Sequence, residues 1–480
     1  MAVSWFALVA VFATAFGATI SLRSLIQPYL TPTADPLAAV VKSDRIERIL
    51  KRVSDSNVQV LEKSSCGRVW VTVHSPEIKF RNSQAPNLVD AIELNWNFNG
   101  CSTVPRQIGL FDDRPASWNN ALSVYEIQAL EGYVVTNVSL GHEMLPAGWQ
   151  THEGIKGPHC QWPWVGAGVD ESILAYNCLK IQPTWMEDNL DVIGHLRVGE
   201  LAIPGAHNAG AWKFETEINT VSRDTFVLCQ DRSLWSQLVH GIRYFDFRIG
   251  YYDFYADEED RYWLNHNLIR IRPLVPLLKE IKAFLDTTKE IVFLDAHHFP
   301  MGFYNPDGTP IRNVHEGLLK LVQRELSPHI VKANEFSTGQ GGPTVKSLLN
   351  SNKRLLFSYV DSAIVGDHNW LWPILPHLWA NTNKPFELFQ YLDEVISNQP
   401  HPNSRSPLHS AMAQTTPTVL DILFLRGSLR ENADAVNRNV TERLSGPWRR
   451  QANIVSTDFF LGNNVIDVSI AINQERGKKL

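Results

Sequence analysis

Hydrophobic positions follow two regimes along the chain. Between residues 58 and 183 they come in short runs, 69–73, 92–96, 107–111, 132–136 and 173–176, with Gly, Pro and Asn between them. Short apolar runs bounded by turn formers predict strands, and together an all-β sandwich-like region over 58–183. Beyond residue 190 the pattern changes. Leu274, Leu277, Leu278, Ile281 and Leu285 recur at helical spacing, with Lys279, Glu280, Lys282 and Asp286 elsewhere on the wheel. The apolar run 290–294 then reads as a buried strand. Further helices are predicted over 314–326, 429–444 and 465–474, and further strands over 201–203, 242–249, 262–266, 354–360, 419–424 and 453–458. Strands alternating with helices over 190–476 predict an α/β fold with a mainly parallel sheet, and at this length a closed (β/α) barrel. Ahead of both regions, 35–57 carries the stripe Leu37, Val40, Val41, Ile46, Ile49 and Leu50 and reads as a helical linker. Residues 1–20 are almost wholly apolar and read as a secretory signal peptide or a membrane anchor.

Composition refines this picture in a few places. The chain has 480 residues, 44% of them hydrophobic, enough for a sizeable core and more than one domain. A net charge of −6 gives no sign of a nucleic-acid binder. Arg438, Arg443, Arg449 and Arg450 read as a solvated helix face. The five cysteines (Cys66, Cys101, Cys160, Cys178 and Cys229) show no metal-binding C-x-x-C spacing. In a secreted chain they predict one or two disulfides and one thiol left over, with the pairing open. Asn137-Val-Ser and Asn439-Val-Thr are glycosylation acceptors on that route. A secreted or extracellular location is therefore expected, the alternative being attachment through the N-terminal segment.

The candidate chemistry gathers near strand ends. His207 follows the apolar 201–203 run in a loop opened by Pro204 and Gly205. Along 242–249, Tyr244, Asp246 and Arg248 share one strand face, as do Tyr262, Leu264 and His266 along 262–266. Asp295 and Asp458 close two more strands. In a parallel barrel such ends converge on one mouth. Two histidines can accept and donate protons near neutral pH, and an arginine suits a phosphoryl group. The competing reading is a buried Asp246–Arg248 ion pair with ordinary core histidines.

Four stretches carry a family resemblance: Ala202-Ile-Pro-Gly-Ala-His-Asn208, Gly241-Ile-Arg-Tyr-Phe-Asp-Phe-Arg248, the strand of His266, and Ile454-Val-Ser-Thr-Asp-Phe459. In order and spacing they resemble the X-domain of phosphatidylinositol-specific phospholipases C, both the bacterial type and the small animal proteins with only that domain. The resemblance covers about 196–474. It implies a distorted, incomplete TIM-type barrel and phosphodiester cleavage yielding diacylglycerol and an inositol (cyclic) phosphate. His207 matches the general base, Asp458 the carboxylate that holds it, His266 the general acid, Arg248 the phosphoryl-neutralising residue and Asp246 its acidic neighbour. Calcium-dependent relatives place a carboxylate where Arg248 stands, so no metal and no cofactor is expected. Asn208 departs from the bacterial pattern, which has an aspartate supporting the acid. Asn208, Asp295 and His297 are expected at the substrate, with Asp295 or His297 able to take over that support. Tyr359, beside Trp370 and Trp372, is expected to line an inositol pocket. The implied partner is an inositol phospholipid at a membrane surface; a protein partner is left open. The rival is a catalytically weak member that binds inositol phospholipid or a protein.

Overall fold

A computed structural model describes residues 62, 64, 66–80, 86–141, 156–214, 224–335, 341–403 and 405–478. The expected leader over 1–20 and helical linker over 35–57 lie outside them. Nine strands open the described chain: β1 (Arg68–His74), β2 (Ile78–Phe80), β3 (Pro86–Leu88), β4 (Ala91–Asn97), β5 (Gln107–Phe111), β6 (Ala121–Glu126), β7 (Glu131–Ser139), β8 (His159–Val169) and β9 (Ser172–Ile181). They form two antiparallel sheets, β1-β4-β7 and β6-β5-β8-β9, and a ribbon, β2-β3. Alternation explains the layering. Val69, Val71, Ile92 and Leu94 face a shared core with Ile108, Leu110, Val165 and Ala167 of the other sheet. Disulfides join Cys66 to Cys101 and Cys160 to Cys178, leaving Cys229 as the buried free thiol.

The second region alternates strands and helices. Its strands are β10 (Ile203–Ala206), β11 (Tyr244–Tyr251), β12 (Tyr262–His266), β13 (Ile269–Pro273), β14 (Val292–Met301), β15 (Leu355–Tyr359), β16 (Trp372–Pro373), β17 (His377–Leu378), β18 (Ser410–Met412) and β19 (Ile454–Thr457). The helices that bear on the argument are α1 (Leu234–His240), α2 (Leu274–Thr287), α3 (Arg312–Leu326), α4 (Val345–Ser351), α5 (Pro385–Ser397), α6 (Val419–Leu423), α7 (Leu429–Ser445) and α8 (Val465–Lys478). The parallel strands run β16-β15-β14-β11-β10-β19-β18-β17 around one curled sheet. A hairpin, β12-β13, hangs antiparallel from β11.

The sheet is mixed α/β and barrel-like; it stays incomplete, as the resemblance implied, and does not form the closed barrel expected from length and alternation. Among the described residues no ladder joins β16 to β17. These strands have two residues each, and Pro373 and Pro376 lie at and between them. Proline has no N–H for a ladder, so the edges cannot zip. Two local expectations also change. The 201–203 strand runs on through Pro204 and Gly205. A Cβ at Gly205 would lie 2.5 Å from Ser456 Oγ and 2.9 Å from the Tyr244 ring, so glycine lets both flanking strands approach. Residues 419–424 form helix α6 rather than a strand, because Thr418 and Asp421 make a reciprocal capping box.

The two regions fall within one compact unit, Asn57–Leu480. The second face of β1 and β4 meets α7 through polar groups. Arg438 donates through Nε to buried Glu93 at 2.8 Å, and Arg68 pairs with Glu442 at 3.1 Å. The expected solvated arginine face is corrected in part: Arg438, Arg443 and Arg449 pair with Glu93, Asp393 and Glu475, whereas Arg450 is exposed as expected. At the lower end of β11, wholly buried Arg243 donates to Glu290 and to the carbonyls of Leu238, Ile242 and Pro183. Glu290 also accepts from the Met186 and Glu187 amides. Among the described residues no helix is long and apolar enough to cross a membrane.

Candidate active site

The upper ends of β10, β11 and β19 place the first group. Just past β10, the chain turns with Asn208 at φ +39°, a left-handed conformation that asparagine tolerates. This turn holds His207, only 6% exposed. Just past β19 comes Asp458, followed by Phe459 at φ +48°. Because β10 and β19 pair in parallel, His207 and Asp458 are neighbours, and His207 Nδ1 donates to Asp458 Oδ1 at 2.6 Å. The other ring nitrogen is then an acceptor. It receives a hydrogen bond from Arg248 Nη2.

Tyr244, Asp246 and Arg248 do share one face of β11, as alternation predicts. Asp246 is wholly buried; its Oδ2 accepts from the Asn208 amide at 3.1 Å and from Arg248 Nη2 at 3.3 Å. The same oxygen lies 3.9 Å from His207 Nε2. Burial pushes the Asp246 carboxyl up, but Arg248 and the histidines around it hold it well below the usual carboxylate range. Asp246 therefore stays charged and anchors Arg248 without taking the proton.

His266 reaches the same place by a different route. It lies at the tip of the β12-β13 hairpin rather than at the end of a parallel strand. The ladder slips between Leu264 and Asn265, but the residue passed over is Ile271 of β13, so β12 itself runs on without an inserted residue. Burial, with the charges of Arg248 and His207, pushes the half-buried His266 down to about 3. The Asn208 amide is wholly buried and neither of its side-chain atoms has a hydrogen-bond partner among the described residues. Nor do Asp246 Oδ1 and Arg248 Nε. Four polar atoms at the mouth thus wait for a partner.

Asp295, on β14, stands in register with Asp246. Its Oδ2 accepts from the Tyr244 hydroxyl at 2.6 Å, and its Oδ1 accepts from Ser358 Oγ at 2.6 Å. His297 and His377 lie against it. The register sets Asp295 on the strand beside Asp246, and His297 lies 3.4 Å from the Asp295 carboxylate. Tyr359 does not join them. It is wholly buried, packs against Phe299 and Phe357, and bonds His315 Nδ1 at 2.7 Å. Trp372 likewise donates inward, to the Val331 carbonyl.

The structure adds groups with no sequence pattern. Gln230 is buried and donates to the carbonyls of both His207 and Thr457 at 2.9 Å, locking the two loops that carry the histidine–aspartate pair. Asn437 of α7 donates to the Asp458 carbonyl at 3.1 Å. Cys229 lies behind the pair, within 4.8 Å of the His207 and Asp458 ligand atoms, and burial pushes its thiol up. Loop amides of this kind have no periodicity; only the fold brings them in.

No family model matches the chain. PI-PLC X domain-containing protein 3 of Mus musculus is 28% identical over 320 residues, covering 60% of this chain and 92% of that protein. PI-PLC X domain-containing protein 1 of Homo sapiens is 23% identical over 333 residues, covering 64% and 97%. Among solved structures, the phosphatidylinositol-specific phospholipase C from Listeria monocytogenes aligns at a TM-score of 0.44 and 17% identity, over 60% of this chain and 98% of that one. The F249X mutant of the Staphylococcus aureus enzyme aligns at 0.46 and 12%, over 61% and 97%. Over the span it shares with these two curated relatives, the chain resembles the PI-PLC X domain-containing proteins.

Proposed function

We propose that the chain is a phospholipase C-like phosphodiesterase acting on phosphatidylinositol, or on glycosylated phosphatidylinositol anchors, at a membrane surface. The observation that carries this reading is His207. Its Nδ1 proton is committed to Asp458, and its Nε2 lone pair accepts from a guanidinium suited to phosphate. An entering phosphodiester draws Arg248 onto its oxygens and releases Nε2. His207 then takes the proton of the inositol 2-hydroxyl as that oxygen bonds to phosphorus. The bond from phosphorus to the diacylglycerol oxygen breaks, and His266 gives that oxygen a proton. The product is a cyclic inositol phosphate. Proton transfers of this kind contribute ~10²–10⁴-fold each.

Docking at a lipid surface has its own support. Trp379 follows β17, Phe386 begins α5, and Leu420, Leu423, Phe424 and Leu425 lie in and after α6, beyond β18. All six are exposed, Phe386 at 78%. They lie beyond the upper strand ends, on the mouth side. The two loops are tied together by Thr416 N to Thr382 O at 2.7 Å and by Trp379 Nε1 to Thr416 Oγ1 at 3.0 Å. A tied apolar rim beside a polar mouth suits insertion among lipid chains. The two disulfides support secretion or an extracellular location, and exposed Asn137 and Asn439 leave both glycosylation acceptors accessible.

A second reading is a weak enzyme that mainly binds inositol phospholipid. One feature favours it: His266 is pushed down to about 3 and has uncharged Asn208 where the resemblance expects a carboxylate. The deciding experiment is diacylglycerol release from phosphatidylinositol vesicles by the purified chain, with chelator, beside His207→Ala. Release that is lost in the variant supports the enzyme. A folded chain that binds the vesicles without releasing diacylglycerol supports the binding reading.

A further inference from the structure

One strand away from Asp246, three side chains come together that the proton transfers above do not use. His377 Nε2 lies 3.2 Å and His297 Nδ1 3.4 Å from the same oxygen, Asp295 Oδ2. The ligand atoms of Asp295, His297 and His377 all lie within 4.8 Å of one another. The two imidazoles stack face to face, with ring centres 3.3 Å apart and planes 7° apart. Imidazole donates in its ring plane, so one of the two parallel rings has to turn for both to hold a single ion. His297 Nδ1 is buried and makes no well-aligned hydrogen bond, although it lies close to the carboxylate.

The spacing is that of a coordination polyhedron. Donors about 2.0–2.1 Å from a tetrahedral ion stand roughly 3.3 Å apart along each edge. The two nitrogen–oxygen distances fall on either side of that value. We propose that Asp295, His297 and His377 form a binding site for a divalent transition-metal ion of the zinc type.

The donor set selects the ion. Two imidazoles and one carboxylate suit zinc, cobalt or nickel, whereas calcium and magnesium favour all-oxygen shells. Three protein donors leave a fourth position open. Ser358 donates to Asp295 Oδ1 from the outer shell, while the Tyr244 hydroxyl touches both Asp295 Oδ2 at 2.6 Å and His377 Nε2 at 2.9 Å, so an ion has to displace its contact with that nitrogen. His297 and His377 keep side-chain exposures of 21% and 10%, so an ion can reach them from the mouth. The site departs from the metal-free chemistry expected of the sequence, yet it is separate from His207 and His266. It would add a fixed double positive charge in register with Asp246, beside where the phosphodiester is proposed to bind.

The test uses the full chain, stripped with chelator and titrated with cobalt(II) alone. One ion per chain is expected, with visible ligand-field absorption and no near-ultraviolet thiolate band. His377→Ala and His297→Ala should each weaken binding at least tenfold. Having half-buried or nearly buried rings rather than a core carboxylate, both should fold, which circular dichroism checks. Cys229→Ser separates this site from the neighbouring His207, Cys229 and Asp458 group and should leave binding intact. Binding that vanishes in Cys229→Ser, survives in His377→Ala, or never saturates would overturn the proposal. Diacylglycerol release, followed in parallel, reports on the phosphodiesterase reading independently.

Discussion

Two arginines on one strand show how differently the ends of the barrel are built. Arg243, just below β11, commits its guanidinium to Glu290 and four carbonyls, and Glu290 commits its oxygens to Arg243 and two amides. Every group there is answered by the protein itself. Arg248, near the top of the same strand, is shared between Asp246 and His207 and leaves Nε unpaired. The lower site is a completed network, and the upper one is completed only by something that arrives. Barrels separate stability from chemistry in this way, with the lower face holding the fold and the upper face holding the loops that act.

The comparison can be broken at either end. His207→Gln should lower diacylglycerol release by ~10²–10⁴-fold and leave the denaturation midpoint nearly unchanged; a matching loss of stability would make the upper site structural. Arg243→Met should do the reverse. It strands a buried carboxylate at Glu290 and should cost about 3–5 kcal/mol in urea unfolding, while the rate per folded molecule stays the same.

Asn208→Asp sharpens the account of the mouth. A carboxylate beside His266 favours its charged form, so the alkaline limb of the kcat profile should move to higher pH. On that limb, a move of about one pH unit means roughly tenfold more protonated acid at a given pH. An unmoved limb would mean that Asn208 does not act on His266. The smallest effect concerns acid stability. His266 titrates lower in the folded chain than in the unfolded one, so the unfolded state binds more protons between about pH 6.5 and 3. Stability should therefore fall on acidification through that window. His266→Gln should remove a part on the order of 1 kcal/mol near pH 5.5, read from unfolding curves at several pH values.

What the sequence made legible follows from period. Alternation put Tyr244, Asp246 and Arg248 on one face, and that face is where they lie. His207 and Asp458 were readable as residues just beyond short apolar strands. His266 was recognised by its motif, whereas the second strand of the hairpin that carries it was not read from the pattern. Residues 419–424 looked like a strand since five of the six are apolar; the Thr418–Asp421 capping box was the overlooked signal. Gln230, Asn437 and His377 were out of reach. Each acts through contacts across long chain separations, and a single amide or imidazole in a loop has no pattern. The same holds for Arg438, whose partner Glu93 lies in the other region.

The missing ladder between β16 and β17 gives the molecule a mechanical character. A closed ring of strands has a circumference fixed by its hydrogen bonds, so its opening can hardly change. Here the two edges, Trp372-Pro373 and His377-Leu378, are joined by the three residues 374–376 instead of by a ladder, so the length and packing of that short connection set the gap between them. One edge carries His377, so whatever grips that imidazole also tightens that connection.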